Sequence, residues 1–78
     1  MAATVFIVED NSDFGAALAD LLSDEGFQPV RFLTGWQALD GLRTQTPALI
    51  ITDVVMPGMS GFDLVTKLRK RRRQIAER

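Results

Sequence analysis

Apolar positions along the chain alternate between two rhythms, continuous short runs and helical repeats. Thr4-Val5-Phe6-Ile7-Val8 is apolar and β-branched throughout and halts at Glu9 and Asp10, which predicts a strand buried on both faces. Phe14, Ala17, Leu18, Leu21 and Leu22 then recur at helical spacing, with Asn11 or Ser12 as N-cap and Gly26 after Glu25 where a left-handed C-terminal cap belongs. Polar and apolar residues alternate in Gln28-Pro29-Val30-Arg31-Phe32. Pro29 cannot donate to a ladder, so this second strand is expected at a sheet edge. Thr34 and Gln37 fit a capping box for a second helix carrying Ala38, Leu39 and Leu42 on one face, weakened by Gly41 and closed at Thr46-Pro47. Ala48-Leu49-Ile50-Ile51-Thr52 repeats the character of the first strand and ends at Asp53. Ser60 and Asp63 resemble another capping box, opening a third helix with Leu64, Val65, Leu68 and Ile75 as its apolar stripe.

The order strand, helix, strand, helix, strand, helix predicts an α/β fold with a parallel sheet and right-handed crossovers. Composition agrees: of 78 residues, 46% are hydrophobic and 24% charged, enough apolar surface for a folded core in one small domain. The absence of cysteine and histidine removes disulfides, thiolate chemistry, the usual general base and the commonest zinc ligand. No apolar run approaches the roughly 20 residues of a membrane span, and the first residues lack the basic region of a secretory signal, so the expected location is cytoplasmic. The net charge of −1 conceals a division. Residues 1–66 hold two basic and nine acidic side chains, and residues 67–78 hold seven basic and one acidic. A basic run such as Lys67, Arg69, Lys70, Arg71, Arg72 and Arg73 can contact phosphates. It equally offsets the negative end of a helix dipole and has no interleaved aromatics, so it does not by itself point to nucleic acid. Trp36 and Phe62 read as core or helix-flank residues.

Ligands of parallel α/β sheets bind beyond the carboxyl ends of the strands. Glu9 and Asp10 end the first strand and Asp53 ends the third. If those strands are neighbours, as the edge character of the second suggests, three acids share one crevice. For a single acid, solvation or helix capping is the commoner role. Three close together repel, raise the pKa of at least one carboxyl, and call for a cation. Oxygen-only ligation from few carboxylates suits Mg2+, or Mn2+, with phosphate oxygens completing the shell.

Asp53-Val54-Val55-Met56-Pro57-Gly58-Met59-Ser60-Gly61, with Val8-Glu9-Asp10-Asn11 before it, resembles the receiver domains of bacterial two-component response regulators, from Thr4 to about Arg69. The resemblance implies a flavodoxin-like doubly wound sheet of strand order 2-1-3, here as three strands and three helices of the usual five and five. Residues 1–78 would then be a partial receiver domain, without strand 4 onward. It also implies that Asp53 accepts a phosphoryl group from a sensor histidine kinase or phosphotransfer protein. Asp10 and Asp53 would ligate Mg2+, Glu9 would bind it directly or through water, and the Val55 backbone carbonyl would be a further ligand. Pro57 and Gly58 would shape the loop and Gly61 would relieve crowding where the third helix enters. Such a domain is a signalling module, not an enzyme acting on other substrates.

The family's fourth strand ends in a serine or threonine that meets the phosphoryl group, and its fifth in a lysine. Downstream of Asp53 this sequence offers only Ser60, Thr66, Lys67 and Lys70, none at a later strand end, so the expectation is phosphorylation without the family's conformational readout. A sheet ending at the third strand would expose that strand's edge and leave the first helix underfilled, which invites dimerisation or aggregation, so the expectation is a fragment or a homodimer paired through that edge. Two competing readings follow: a non-switching interaction module that docks a kinase or dimerises, and a phosphatase of the haloacid-dehalogenase kind. The latter family places a second aspartate two residues after its nucleophile, where this chain has Val55.

Overall fold

The computed structural model describes residues 2–55 and 58–76, with side chains described through Lys70. Met56 and Pro57, the side chain of Ile75 and those of Arg71, Arg72 and Arg73 therefore lie outside the described residues. The elements run β1 (Thr4–Val8), α1 (Ser12–Asp24), β2 (Gln28–Phe32), α2 (Gly35–Gly41), β3 (Leu49–Thr52) and α3 (Gly61–Ala76). The strands form a parallel sheet in the order β2-β1-β3. This is the doubly wound, flavodoxin-like arrangement expected from the sequence.

β1 is the central strand, and Val5, Phe6, Ile7 and Val8 are all buried. Partners across a parallel ladder point to the same side of the sheet. The pairings Phe6–Val30, Val8–Phe32 and Val8–Thr52 therefore define one face, and Ile7–Arg31 and Ile7–Ile51 the other. On the first face Val8, Ala38, Met59 and Leu64 form a buried cluster, with Phe32, Leu39, Ile50 and Leu68 packed against it. The Phe6 and Phe32 rings meet edge-on at 4.7 Å between centroids. On the second face α1 is held over β2, where the Arg31 guanidinium donates to the Ser12 carbonyl at 2.8 Å. There the covering is partial: Phe14, Leu21 and Leu49 remain largely exposed. Among the described residues β3 has no strand on its outer side.

Local hydrogen bonds account for the helix boundaries. Asn11, not Ser12, caps α1, its Oδ1 accepting from the Phe14 N–H at 3.0 Å. α1 ends in a Schellman turn, with the Gly26 N–H on the Ser23 carbonyl and the Phe27 N–H on the Leu22 carbonyl, and Gly26 at φ 91°. α3 opens on a full capping box: Ser60 Oγ accepts from the Asp63 N–H at 3.1 Å, and the Asp63 carboxylate accepts from the Ser60 N–H at 3.4 Å.

α2 differs from expectation at both ends. Thr34 caps it as anticipated, but Gln37 Oε1 accepts from the Leu33 N–H at 3.0 Å rather than from Thr34. The helix also stops at Gly41, not at Thr46-Pro47. Gly41 weakens the helix by about 1 kcal/mol relative to alanine. The chain then unwinds through tighter turns, with the Arg43 N–H on the Asp40 carbonyl and the Thr44 N–H on the Gly41 carbonyl.

Candidate functional site

The ladder continues one residue past each strand end, and this sets the geometry of the acids. The Glu9 N–H donates to the Phe32 carbonyl at 3.0 Å, and the Asp53 N–H to the Val8 carbonyl at 3.2 Å. Glu9 is thereby fixed between the ends of β2 and β3, with Asp53 beside it. Carboxylate oxygens of Glu9, Asp10 and Asp53 all lie within 4.8 Å of one another. The convergence expected from the strand order is present.

Asp53 Oδ1 accepts from the Val54 N–H at 2.8 Å, and Glu9 Oε2 from the Asn11 N–H at 3.4 Å. Asp10 and Asp53 are exposed, while Glu9 is half-buried. That partial burial, reinforced by the neighbouring carboxyl of Asp10 and the charge of Asp53, holds the Glu9 carboxyl above its ordinary range. Val55 follows in the turn that leaves β3, with its side chain exposed. Three oxygen donors at this spacing, two of them open to solvent, fit a hard divalent cation that keeps some of its waters.

The connection from β3 to α3 explains how an exposed carboxylate can sit on a fixed backbone. A Cβ on Gly61 would run into the Asp53 carbonyl oxygen, so only glycine lets α3 begin this close to the site, and the Gly61 N–H donates to the Val54 carbonyl at 2.9 Å. Gly58, at φ 81°, supplies the left-handed turn expected of it. Met59 then drops into the core against Val8, Ala38 and Leu64 and anchors the loop. Sequence reasoning missed Met59, because one apolar residue inside a glycine-rich turn carries no periodicity. It also missed Lys67, whose Nζ lies 5.3 Å from the centre of the Trp36 ring. Trp36 occupies a helix flank rather than the core, and Phe62 is exposed at 72%.

Beside the acids a cavity of about 190 Å³ opens on the α1 face, lined by Ile7, Phe14, Leu18 and Ile51 and reaching Glu9 and Asp53.

Residues 5–76 match the family described as the response regulator receiver domain. The chain belongs to that family. The transcriptional regulatory protein CreB of Escherichia coli is 40% identical over 65 residues, which cover 83% of this chain and 28% of CreB. The hybrid signal transduction histidine kinase D of Dictyostelium discoideum is 42% identical over 65 residues, which are 4% of that protein. Among solved structures, the signal receiver domain of a histidine kinase from Syntrophus aciditrophicus aligns with a TM-score of 0.84 at 35% identity, over 88% of this chain and 52% of that one. The response regulator TrrA from Thermotoga maritima, solved in complex with Mg(2+)-BeF, aligns with a TM-score of 0.86 at 27% identity, over 94% of this chain and 63% of that one. This receiver chain thus spans about half the length of the first solved relative and less than a third of CreB. None of its described helices is long and apolar enough to cross a membrane.

Proposed function

We propose that this receiver chain is the phosphoacceptor of a two-component relay, with Asp53 taking the phosphoryl group. The observation that carries the reading is the meeting of Glu9, Asp10 and Asp53 within 4.8 Å, with Asp53 presented on a backbone tied to β1. A free oxygen of the Asp53 carboxylate attacks phosphorus in line. The bond from phosphorus to the donor breaks, its electron pair leaving with the imidazole of a phosphohistidine or the carboxylate of an acyl phosphate. An aspartyl phosphate remains. Glu9, Asp10, Asp53 and the Val55 carbonyl are the residues assigned to hold Mg2+, or Mn2+ in its place. When bound, the cation neutralises the phosphoryl oxygens and offsets the mutual repulsion of the three carboxylates. The chain's own residues orient the nucleophile: the Val54 N–H holds one oxygen of Asp53, and Gly61 and Met59 fix the loop behind it. The complex of TrrA with Mg(2+)-BeF supports the metal assignment by likeness. A sensor kinase or phosphotransfer protein as donor, and a cytoplasmic location, go with this reading.

Incubation with acetyl phosphate and Mg2+ followed by intact-mass measurement tests it. One added phosphoryl group on the wild type, lost with a chelator, is the expected result. No addition in either buffer would overturn the proposal.

A second reading, a non-switching module that pairs with another copy through the β3 edge, is favoured by Leu49, which is 55% exposed on β3, one of the sheet's two edge strands. It requires a dimer that forms without phosphodonor.

A further inference from the structure

The chemistry of Asp53 leaves unused a second cleft, beside α3. A cavity of about 290 Å³ lies between the start of α2 and α3, lined by Trp36, Met59, Thr66, Lys67 and Lys70, with Asp63 at one end. The Asp63 carboxylate accepts from the Ser60 N–H in the α3 cap, and Lys67 and Lys70 together outweigh its charge, so the cleft is net positive. Trp36 is 59% exposed under Lys67, and Arg69 is exposed nearby on the same helix. An aromatic floor with cationic walls suits a segment that carries both carboxylates and an apolar side chain.

The same molecule carries such a segment. α1 contains Asp13, Asp20 and Asp24 and no basic residue. With Ala17 and Leu21 these lie at three- and four-residue spacings along one exposed stripe, with Leu21 63% exposed. Among the described residues neither these aspartates nor Lys67, Arg69 and Lys70 form an ion pair within the chain. We infer that the exposed stripe of α1 in one copy docks into the Trp36–Lys67–Lys70 cleft of a second copy.

α1 and α3 cover opposite faces of the sheet, so the contact can be made neither within one chain nor as a two-fold exchange between two. It is heterologous, and head-to-tail contacts that do not close build open assemblies. Weight-average mass should therefore climb with protein concentration without a plateau at the dimer.

Sedimentation equilibrium over a concentration series, with Trp36 emission read on the same samples, tests this, since Trp36 is the chain's single tryptophan. At low ionic strength the mass should rise continuously and the emission move to the blue. Added salt at about 0.5 M should weaken association by roughly tenfold or more, because the steering charges are exposed. Lys67→Glu with Lys70→Glu, and separately Asp20→Lys with Asp24→Lys, should each abolish association. All four residues are exposed, and circular dichroism checks that both variants fold. Mixing the two variants should restore association. A monomer at every concentration, a plateau at the dimer, or association indifferent to both charge reversals would overturn the proposal, the last two pointing instead to pairing through β3.

Discussion

On the sheet face that carries α2 and α3, Val8, Ala38, Met59 and Leu64 are closed off from water, whereas on the opposite face Phe14 and Leu21 of α1 and Leu49 of β3 stay largely open to it. β1 is common to both faces and buried on each, so the difference lies in what covers it. Ridge and loop interlock on the closed face because Gly61 lets α3 approach the Asp53 backbone and Met59 fills the space beneath. On the open face a cavity runs from Ile7 and Phe14 up to Glu9 and Asp53. The candidate site sits where the two meet. Its backbone is held from the closed side, and its carboxylates look out on the other, which is how a carboxylate can be both fixed and accessible.

If the closed face carries the stability, Leu64→Ala should have the largest effect. Removing a fully buried leucine costs about 2–5 kcal/mol, enough to unfold most of a small domain, while Leu49→Ala on the open face should cost under about 1 kcal/mol. Urea titration of both variants measures the contrast, and equal losses would break it. Next, Mg2+ at about a hundredfold excess over its dissociation constant should stabilise the wild type by about 2.7 kcal/mol. Asp10→Asn should remove most of that gain in a thermal melt. Gly61→Ala sharpens the comparison, since it forces a methyl group against the Asp53 carbonyl. A loss of about 1–3 kcal/mol, with slower phosphorylation from acetyl phosphate, is expected. A variant that lost stability and kept its full rate would detach the loop from the chemistry.

The smallest effect concerns pH. Burial and its acidic neighbours raise the Glu9 carboxyl pKa in the folded chain, so the folded state binds that proton more readily than the unfolded one. Its contribution to stability is therefore present in acid and lost as pH rises through the folded value. In chelator, melting temperature should fall with pH across the upper carboxylate range more in the wild type than in Glu9→Gln.

Much of this is legible in the sequence. β1 and β3 announce themselves as unbroken apolar runs ending in acids, and Pro29 on β2 pointed to an edge, which together put Glu9, Asp10 and Asp53 in one crevice. Gly58 and Gly61 were legible because backbone constraints restrict residue choice so narrowly. The end of α2 was not, since the cost of Gly41 competes with packing that no local pattern records. Met59 and the Trp36–Lys67 contact were hidden for a related reason: each depends on which elements lie side by side, Met59 meeting Val8 and Ala38 far away in sequence and Trp36 meeting Lys67. The open α1 face was foreseen in outline from the strand count, but not which of its residues face water.

The central claim is that Asp53 itself receives the phosphoryl group. After reaction with acetyl phosphate and Mg2+, borohydride reduction of the product and tandem mass spectrometry locate an acyl phosphate directly, because hydride converts the modified aspartate to homoserine. Homoserine at position 53 in the wild type, and none anywhere in Asp53→Asn, is the expected result. Homoserine at position 10 or 63, 5-hydroxynorvaline (the reduced glutamyl phosphate) at position 9, or equal labelling of wild type and variant, would contradict it.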